Sequence, residues 1–225
     1  MSEILDKLAK AVIAGDEEAA KKAAQESIDL KTNPLDAIKI GLAKGMDEVG
    51  QKFHKFEVFL PEVILAADAM KAGVAVLKPQ LSPDDLKKAS LGKVVIGTVF
   101  GDIHDIGKNL VAVMLEAGGF EVYDLGSDCA SIKFVEKAKE VKADIIAMSS
   151  LMVTSMYYQR EVLDYLKDSG TRKEHWIMVG GGPVTPEWTG EIGADGYGKF
   201  ADDAVEIAKI LMEKGSEIKK PVLKE

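Results

Sequence analysis

The spacing of apolar residues changes near Ser90. Before that point, apolar residues such as Ile4, Leu8 and Val12 recur at intervals of three and four. This is the period of a helix that buries one face in a core. Residues 2–78 contain no convincing strand pattern, so we predict an all-α helical bundle for the first part of the chain.

Capping residues indicate where these helices begin. Asp16 is a suitable N-cap for a helix that runs to about Leu30. Asn33 and Pro34 predict the start of another helix, because proline is well accommodated in a first turn. Pro61 predicts the start of a fourth helix for the same reason.

A turn rich in phenylalanine, Phe53 to Leu60, separates the third and fourth predicted helices and holds three of the 7 phenylalanines in the chain. Such a turn either folds over its own core or offers large apolar side chains to a flat ligand or a neighbouring domain. The segment by itself leaves both interpretations open.

The stretch from Lys78 to Gly92 is rich in proline, serine and charged residues. This composition is typical of a solvated linker, here with room for a short helix after Ser82. We therefore predict a helical cap domain over residues 1–90 and a second domain over residues 91–225.

From Lys93 onward, short apolar runs alternate with amphipathic runs, as in proteins whose strands alternate with helices. Such alternation predicts a parallel sheet with helices on both faces and right-handed crossovers. At this size, the expected strand order is the flavodoxin-like (Rossmann-like) order 2-1-3-4-5. Five strands are predicted: Val94 to Val99, Glu121 to Asp124, Asp144 to Ser149, Trp176 to Val179 and Gly193 to Tyr197.

The loop after the first predicted strand carries Asp102, His104 and Gly107. It lies at the carboxyl end of its strand, where open α/β sheets bind ligands. In the predicted order it faces the segment Ser149 to Leu151 and shares an edge with Gly180 to Gly182. Glycines leave room for a ligand and the serines offer hydroxyl groups, so these three loops predict a ligand-binding cleft.

His104 could be an exposed loop histidine, a general base, a phosphorylation site or a metal ligand. Asp102 stands two residues before it and can fix the tautomer of the imidazole ring. No obvious nucleophile or second acid completes a hydrolytic set. A base and a ligand both remain open at this point.

Composition excludes several other classes. The net charge of −8 argues against a nucleic-acid partner. A single cysteine excludes a disulfide framework and a multi-cysteine metal site. No stretch approaches the ~18 apolar residues of a membrane span, and the N-terminus lacks a basic region followed by an apolar one. We therefore expect a cytoplasmic protein with no membrane partner.

The three loops together resemble the cobalamin-binding signature. It reads Asp102-x-His104-x-x-Gly107, 41 residues, Ser149-x-Leu151, 28 residues, and Gly180-Gly181. The first part of the chain is similar to the helical cap of methyl-transferring corrinoid proteins, including Gly45-Met46 and Phe59-Leu60-Pro61-Glu62. The chain thus resembles the corrinoid carrier subunits of methylamine, methanol and methoxyaromatic methyltransfer systems, and also the cobalamin-binding module of methionine synthase.

The resemblance implies a cofactor and a set of binding residues. The cofactor is cobalamin or a related corrinoid, carried as methylcobalamin in a base-off/His-on state. His104 is then the lower axial ligand of cobalt, with Asp102 as its hydrogen-bond partner and Ser155 extending the pair. Phe53 and Leu60 would cover the upper face and shield the bound methyl group. The nucleotide tail would pass Gly107, Ser149, Leu151, Gly180 and Gly181. Val153 departs from methionine synthase, which has a hydroxyl side chain at this position near the tail.

The function implied by the resemblance is methyl transport. Cobalt(I) accepts a methyl group from a substrate-specific methyltransferase, and methyl-cobalt(III) passes it to coenzyme M or tetrahydrofolate through a second methyltransferase. A reductive activator is a further candidate partner. The chain would be a cofactor-carrying subunit rather than a complete enzyme, and its linker would let the helical domain swing aside.

Three other classes compete with this interpretation. The helical cap disfavours a subunit of an adenosylcobalamin mutase. A cobalamin sensor in gene regulation has no support from a helix-turn-helix or a basic region. A flavodoxin or a response regulator would share the sheet but not the helical half or the three-part spacing.

Overall fold

The computed structural model describes residues 2–82, 85, 90–214 and 221–224. The chain divides into two compact units, one formed by Met1–Ser90 with Glu116–Gly119 and the other by Leu91–Leu115 with Phe120–Glu225. Of the predicted linker, Lys78–Gln80 forms a 3-10 turn. Most of the short helix predicted after Ser82 lies outside the described residues.

The first unit is helical throughout its regular elements, as predicted. Helix α1 is Ser2–Ile13 and α2 is Glu17–Asp29. Helix α4 is Leu60–Leu77. Helix α3 consists of three consecutive segments: Pro34–Asp36, a π-helical segment Ala37–Leu42, and Ala43–His54.

Two predicted caps and one predicted first-turn proline lie at helix starts, as expected. The Asp16 carboxylate accepts a hydrogen bond from the Ala19 N–H at 2.9 Å. The Asn33 side chain accepts one from the Leu35 N–H at 2.8 Å. Pro61 lies in the first turn of α4, as predicted. Each contact satisfies a backbone group that a helix start leaves without an intrahelical partner.

Glycines allow α1 and α3 to pack closely. A Cβ atom at Gly45 would lie 2.5 Å from the Ala9 carbonyl oxygen, and one at Gly41 would lie 2.9 Å from Leu8 Cδ1. Leu8 is itself fully buried, together with Leu42. A larger residue at either glycine would therefore force the two helices apart.

The second unit alternates strands with helices. Its strands are β1 (Lys93–Thr98), β2 (Glu121–Asp124), β3 (Ile145–Ser149), β4 (Trp176–Gly180), β5 (Gly196–Gly198) and β6 (Val222–Lys224). Its helices are α5 (Ile106–Ala117), α6 (Ser131–Val141), α7 (Met156–Asp168), α8 (Pro186–Ile192) and α9 (Ala201–Lys214), and a 3-10 turn covers Arg172–Glu174.

The sheet is parallel with the order β2-β1-β3-β4-β5-β6. The predicted order of the first five strands is confirmed, but the predicted total of five is wrong. The sixth strand, Val222–Lys224, pairs with β5 at the sheet edge and is too short to show a period in the sequence. Strand β5 also begins three residues later than predicted, because Gly193 ends α8 with a φ of +80°.

Apolar residues cover both faces of the sheet, as expected for a parallel sheet between two helical layers. On one face, Val95 and Ile146 pack in a cluster with Phe134 of α6 and Leu163 of α7. On the other face, neighbouring strand residues pack in a second cluster that includes Leu115 of α5 and Ile207 of α9. No helix within the described residues is long and apolar enough to cross a membrane.

Candidate functional site

Three strands of the second unit end at the same level. Thr98 of β1 pairs with Ser149 of β3, and Ser149 pairs with Gly180 of β4. The loops that follow these strands are the three that the sequence predicted to meet. The parallel register therefore brings the loop of His104 to the loops that begin at Ser149 and Gly180.

The imidazole of His104 is held on one side and open on the other. Its Nδ1 lies 2.7 Å from Oδ1 of Asp102, and its side chain is 50% exposed. The Thr98 hydroxyl donates a hydrogen bond to the His104 carbonyl at 3.0 Å, which fixes the backbone of the loop. Because Nδ1 is engaged by the carboxylate, Nε2 is the ring nitrogen that remains for a ligand.

Asp102 is fully buried and its carboxylate accepts hydrogen bonds at both oxygens. The backbone N–H and the ring of His104 reach Oδ1, at 3.0 and 2.7 Å. Oδ2 accepts from the Leu151 N–H at 2.6 Å, the Met152 N–H at 3.2 Å and the Ser155 hydroxyl at 3.0 Å. These contacts join the His104 loop to the loop after β3.

The pKa of Asp102 reflects this environment. Burial by itself raises the pKa of a carboxyl group, because it penalises the charged form. Here the hydrogen bonds from His104, Leu151 and Ser155 outweigh burial and lower the pKa from 3.8 to about 2. The group is therefore an anion at neutral pH and a permanent acceptor for the imidazole.

Ser155 ends the loop after β3 and lies immediately before α7. Its hydroxyl is 2.7 Å from the hydroxyl of Ser150, which also donates to the Met152 carbonyl at 3.0 Å. Ser150 is fully buried, and its N–H donates to the Gly180 carbonyl at 3.0 Å. Ser150 thus connects the residues around His104 to the glycine loop, Gly180 to Gly182. The sequence did not predict this role of Ser150.

A cavity of about 720 Å³ opens at this edge of the sheet. His104, Gly107, Ser149, Leu151, Gly180 and Gly181 all line it. The carboxyl halves of the strands and helices α5 and α9 supply apolar lining residues: Ile96, Leu110, Ala147, Met178, Tyr197 and Ala204. Mostly apolar walls with a few polar groups at the mouth are typical of a cofactor site.

Two glycines shape this cavity in different ways. A Cβ atom at Gly181 would lie 1.8 Å from the Ser150 carbonyl oxygen, and the φ of Gly181 is +120°. Only glycine can occupy that position without moving the backbone. A Cβ at Gly107 would meet nothing within 4 Å. Because Gly107 lines the cavity, the side chain that it lacks leaves space for a ligand.

The two remaining predicted site residues, Phe53 and Leu60, belong to the helical unit. Phe53 is half-buried near the end of α3, and Leu60 is the first residue of α4. Between them, Phe56 is 83% exposed and Phe59 is 65% exposed. This turn therefore does not fold all of its phenylalanines into its own core.

Lys108, which follows Gly107, also lines the cavity. Its side chain is buried in the first turn of α5, where a cation is disfavoured by the helix dipole. The ammonium group pairs with the carboxylate of Asp124 and contacts the side-chain oxygen of Asn109. Lys108 thus connects the start of α5 to the end of β2 beside the cavity.

Comparison with known proteins matches both units. The B12 binding domain family matches residues 92–206, and a second family with the same description matches residues 4–78. A corrinoid protein of Desulfitobacterium hafniense (strain Y51) is 44% identical over 212 residues, covering 94% of this chain and 98% of that protein. Trimethylamine corrinoid protein 2 of Methanosarcina acetivorans is 48% identical over 203 residues, covering 90% of this chain and 94% of that protein.

A solved structure resembles the fold over almost its whole length. The crystal structure of the methanol:cobalamin methyltransferase complex MtaBC from Methanosarcina barkeri has a TM-score of 0.83 at 31% identity. The match covers 98% of this chain and 82% of that chain.

Proposed function

This chain belongs to the B12-binding corrinoid proteins, and we propose that it holds its corrinoid through His104 and carries a methyl group between two methyltransferases. The names of its relatives, a trimethylamine corrinoid protein and a methanol:cobalamin methyltransferase complex, support a carrier in a methyltransfer system. Bound corrinoid supplies a cobalt ion that takes up and releases a methyl group.

One observation carries the assignment of His104. Its ring is half exposed at the mouth of the cavity, while its Nδ1 is held by the buried carboxylate of Asp102. A neutral imidazole with one nitrogen engaged and the other free is a good axial ligand for a metal. With Nδ1 bonded to the carboxylate of Asp102, the lone pair of Nε2 would be available to the cobalt of a bound corrinoid. These residues fit a corrinoid in the base-off/His-on state.

The proposed site has two further parts: the residues that hold the imidazole of His104, and the cavity for the nucleotide tail. Asp102 and Ser155 hold the axial imidazole in place, since the Ser155 hydroxyl donates to the second oxygen of the carboxylate. The nucleotide tail of a bound corrinoid would take the apolar cavity. The tail would then pass five residues that line the cavity and that the sequence predicted to contact it: Gly107, Ser149, Leu151, Gly180 and Gly181.

The helical unit has a separate proposed role. Residues 1–90 act as a cap domain, in which Phe53 and Leu60 shield the methyl group, and the segment Lys78 to Gly92 acts as the linker. The resemblance to corrinoid caps and the match of residues 4–78 to a B12 binding domain support this role.

The proposed partners follow from the carrier function. One is a substrate-specific methyltransferase, which the methanol:cobalamin methyltransferase complex of the relative supports. The other is a methyltransferase that delivers the methyl group to coenzyme M or tetrahydrofolate, and a reductive activator is a third candidate.

Absorption spectroscopy tests the proposal. Wild type, His104→Ala and the control His54→Ala, which lies outside the α/β unit, are each loaded with methylcobalamin. We expect the spectrum of wild type and of the control to be that of a histidine-ligated corrinoid, and the spectrum of His104→Ala to differ. Identical, pH-independent spectra of wild type and His104→Ala would refute the axial role. Failure of wild type to retain any corrinoid would refute the carrier function.

A further inference from the structure

Gln159 is fully buried in the first turn of α7, and its amide group bonds to three different segments. Its Nε2 donates to the carbonyls of Met148 and Gly180, both at 3.2 Å. Its Oε1 accepts a hydrogen bond from the indole N–H of Trp188 at 2.9 Å. Both amide hydrogens and the carbonyl oxygen of Gln159 are therefore in use.

These partners bracket the glycine loop. Gly180 is the last residue of β4 and precedes Gly181 and Gly182, which line the cavity. Trp188 lies in α8, the helix that the same loop leads into. A single side chain thus holds the residue before the loop and the helix after it.

The glycine loop has little freedom to move toward its neighbour. The Gly180 carbonyl accepts from the Ser150 N–H as well as from Gln159. Gly181 lies so close to Ser150 that a Cβ atom would be 1.8 Å from the Ser150 carbonyl oxygen. Because Gly180 and Gly181 both line the cavity, the bonds that hold the Gly180 carbonyl also hold this part of the cavity wall.

We propose that Gln159 is a positioning residue that holds the glycine loop in the conformation that accepts the nucleotide tail of the corrinoid. This inference rests on the proposed corrinoid-carrier function. Gln159 does not touch His104 or Asp102. Gln159 lies in α7, one turn after Ser155, and contacts the carbonyl of Gly180 rather than the carboxylate of Asp102. Its effect on the tail can therefore be separated from the effect of Ser155 on the axial imidazole.

Removal of the Gln159 amide would break all three of its hydrogen bonds. Gln159→Met keeps a side chain of similar size but leaves the Met148 carbonyl and the Trp188 indole N–H without this partner in a buried place. The Gly180 carbonyl keeps only its bond from Ser150. The loop then gains freedom in the unliganded protein, and binding of the tail must order it again.

Two corrinoids separate this effect from a general loss of structure. Cobalamin has the nucleotide tail, whereas cobinamide has the same corrin ring without it. For Gln159→Met we expect cobalamin affinity to fall about tenfold, in the range usual for residues that orient a ligand-binding group. Cobinamide affinity should not change, and the absorption spectrum at saturation with cobalamin should match that of wild type.

The matched control is Ser27→Ala in the helical unit, which also removes a buried hydrogen bond, from the Ser27 hydroxyl to the Ala24 carbonyl. It should lower thermal stability without changing either affinity. Trp188→Phe removes the hydrogen bond between the Trp188 indole and Gln159 from the other side. This variant is measured instead if Gln159→Met does not fold. In a Trp176→Phe background, the emission of Trp188 without corrinoid should shift when Gln159 is replaced.

The outcomes distinguish this inference from the function on which it rests. An equal loss of affinity for cobalamin and cobinamide, or no loss for either, would overturn the role of Gln159 while wild-type binding leaves the carrier function standing. If wild type binds neither corrinoid, the proposed function fails and the role of Gln159 fails with it.

Discussion

The Nδ1 atom of His104 lies 2.7 Å from Oδ1 of Asp102, and this contact joins a half-exposed ring to a fully buried anion. The buried partner is fixed by further donors from Leu151, Met152 and Ser155. The position of the ring is therefore set by a buried group that is itself held by several hydrogen bonds, which favours the proposed role of His104 as an axial ligand.

Asp102→Asn should both destabilise the protein and disturb the ring. The asparagine amide would direct hydrogens toward groups that are themselves donors, so at least one buried donor loses its acceptor. We expect a loss of about 1–3 kcal/mol in the free energy of unfolding, measured by urea titration. Asp105→Asn, in the same loop, serves as the control. Equal stability of wild type and Asp102→Asn would contradict the hydrogen-bond scheme.

Acid should remove part of this stability. The pKa of Asp102 is lowered to about 2 in the folded protein from an ordinary value of 3.8. A lowered pKa stabilises the folded state above the ordinary value, and that contribution is lost as the pH falls through the folded-state value. The stability difference between wild type and Asp102→Asn should therefore shrink as the pH falls from about 4 to 2. A difference that stays constant over this range would show that the carboxylate is not preferentially stabilised.

Gly181→Ala and Gly107→Ala should separate folding from binding. At Gly181 the new methyl group meets the Ser150 carbonyl and the φ of +120° is unfavourable, so we expect a loss of about 2 kcal/mol or more in stability. At Gly107, within α5, alanine meets no protein atom and should stabilise the helix by up to about 1 kcal/mol.

Corrinoid binding should nevertheless weaken in Gly107→Ala, because Gly107 lines the cavity proposed for the nucleotide tail and a methyl group there takes up space. Thermal unfolding and cobalamin titration of both variants provide the two measurements. Unchanged cobalamin affinity in a stable Gly107→Ala protein would place the ligand elsewhere.

Phe53→Ala tests the proposed shield of the helical domain. Loaded with methylcobalamin, this variant should lose its methyl group to a small thiol several-fold faster than wild type, with cobalamin affinity preserved. The control is Phe56→Ala, because Phe56 belongs to the same turn and its side chain is 83% exposed. Equal rates for Phe53→Ala and wild type would argue against a shielding role.

The sequence by itself determined which segments form helices and which form strands, and where most of them lie along the chain. Helix starts such as Asp16 and Asn33 are recognisable because a cap bonds to backbone groups two or three residues away. The alternation of strands and helices predicted a parallel sheet with right-handed crossovers, and the size of the domain favoured the flavodoxin-like order of its first five strands. The meeting of His104, Ser149 and Gly180 at one edge then followed from that order. The three-part spacing also indicated the family.

The tertiary structure decided everything that depends on exact distances between remote residues. The Leu151 N–H reaches Asp102 across 49 positions, and Trp188 reaches Gln159 across 29. No local period or cap predicts such pairs, because their bonds form only when packed helices and strands bring them within about 3 Å. The same reason explains the missed sixth strand, since three residues become a strand only when β5 offers its edge. The sequence indicated which loops meet, and tertiary packing set how Asp102 holds His104 and how Gln159 holds the glycine loop.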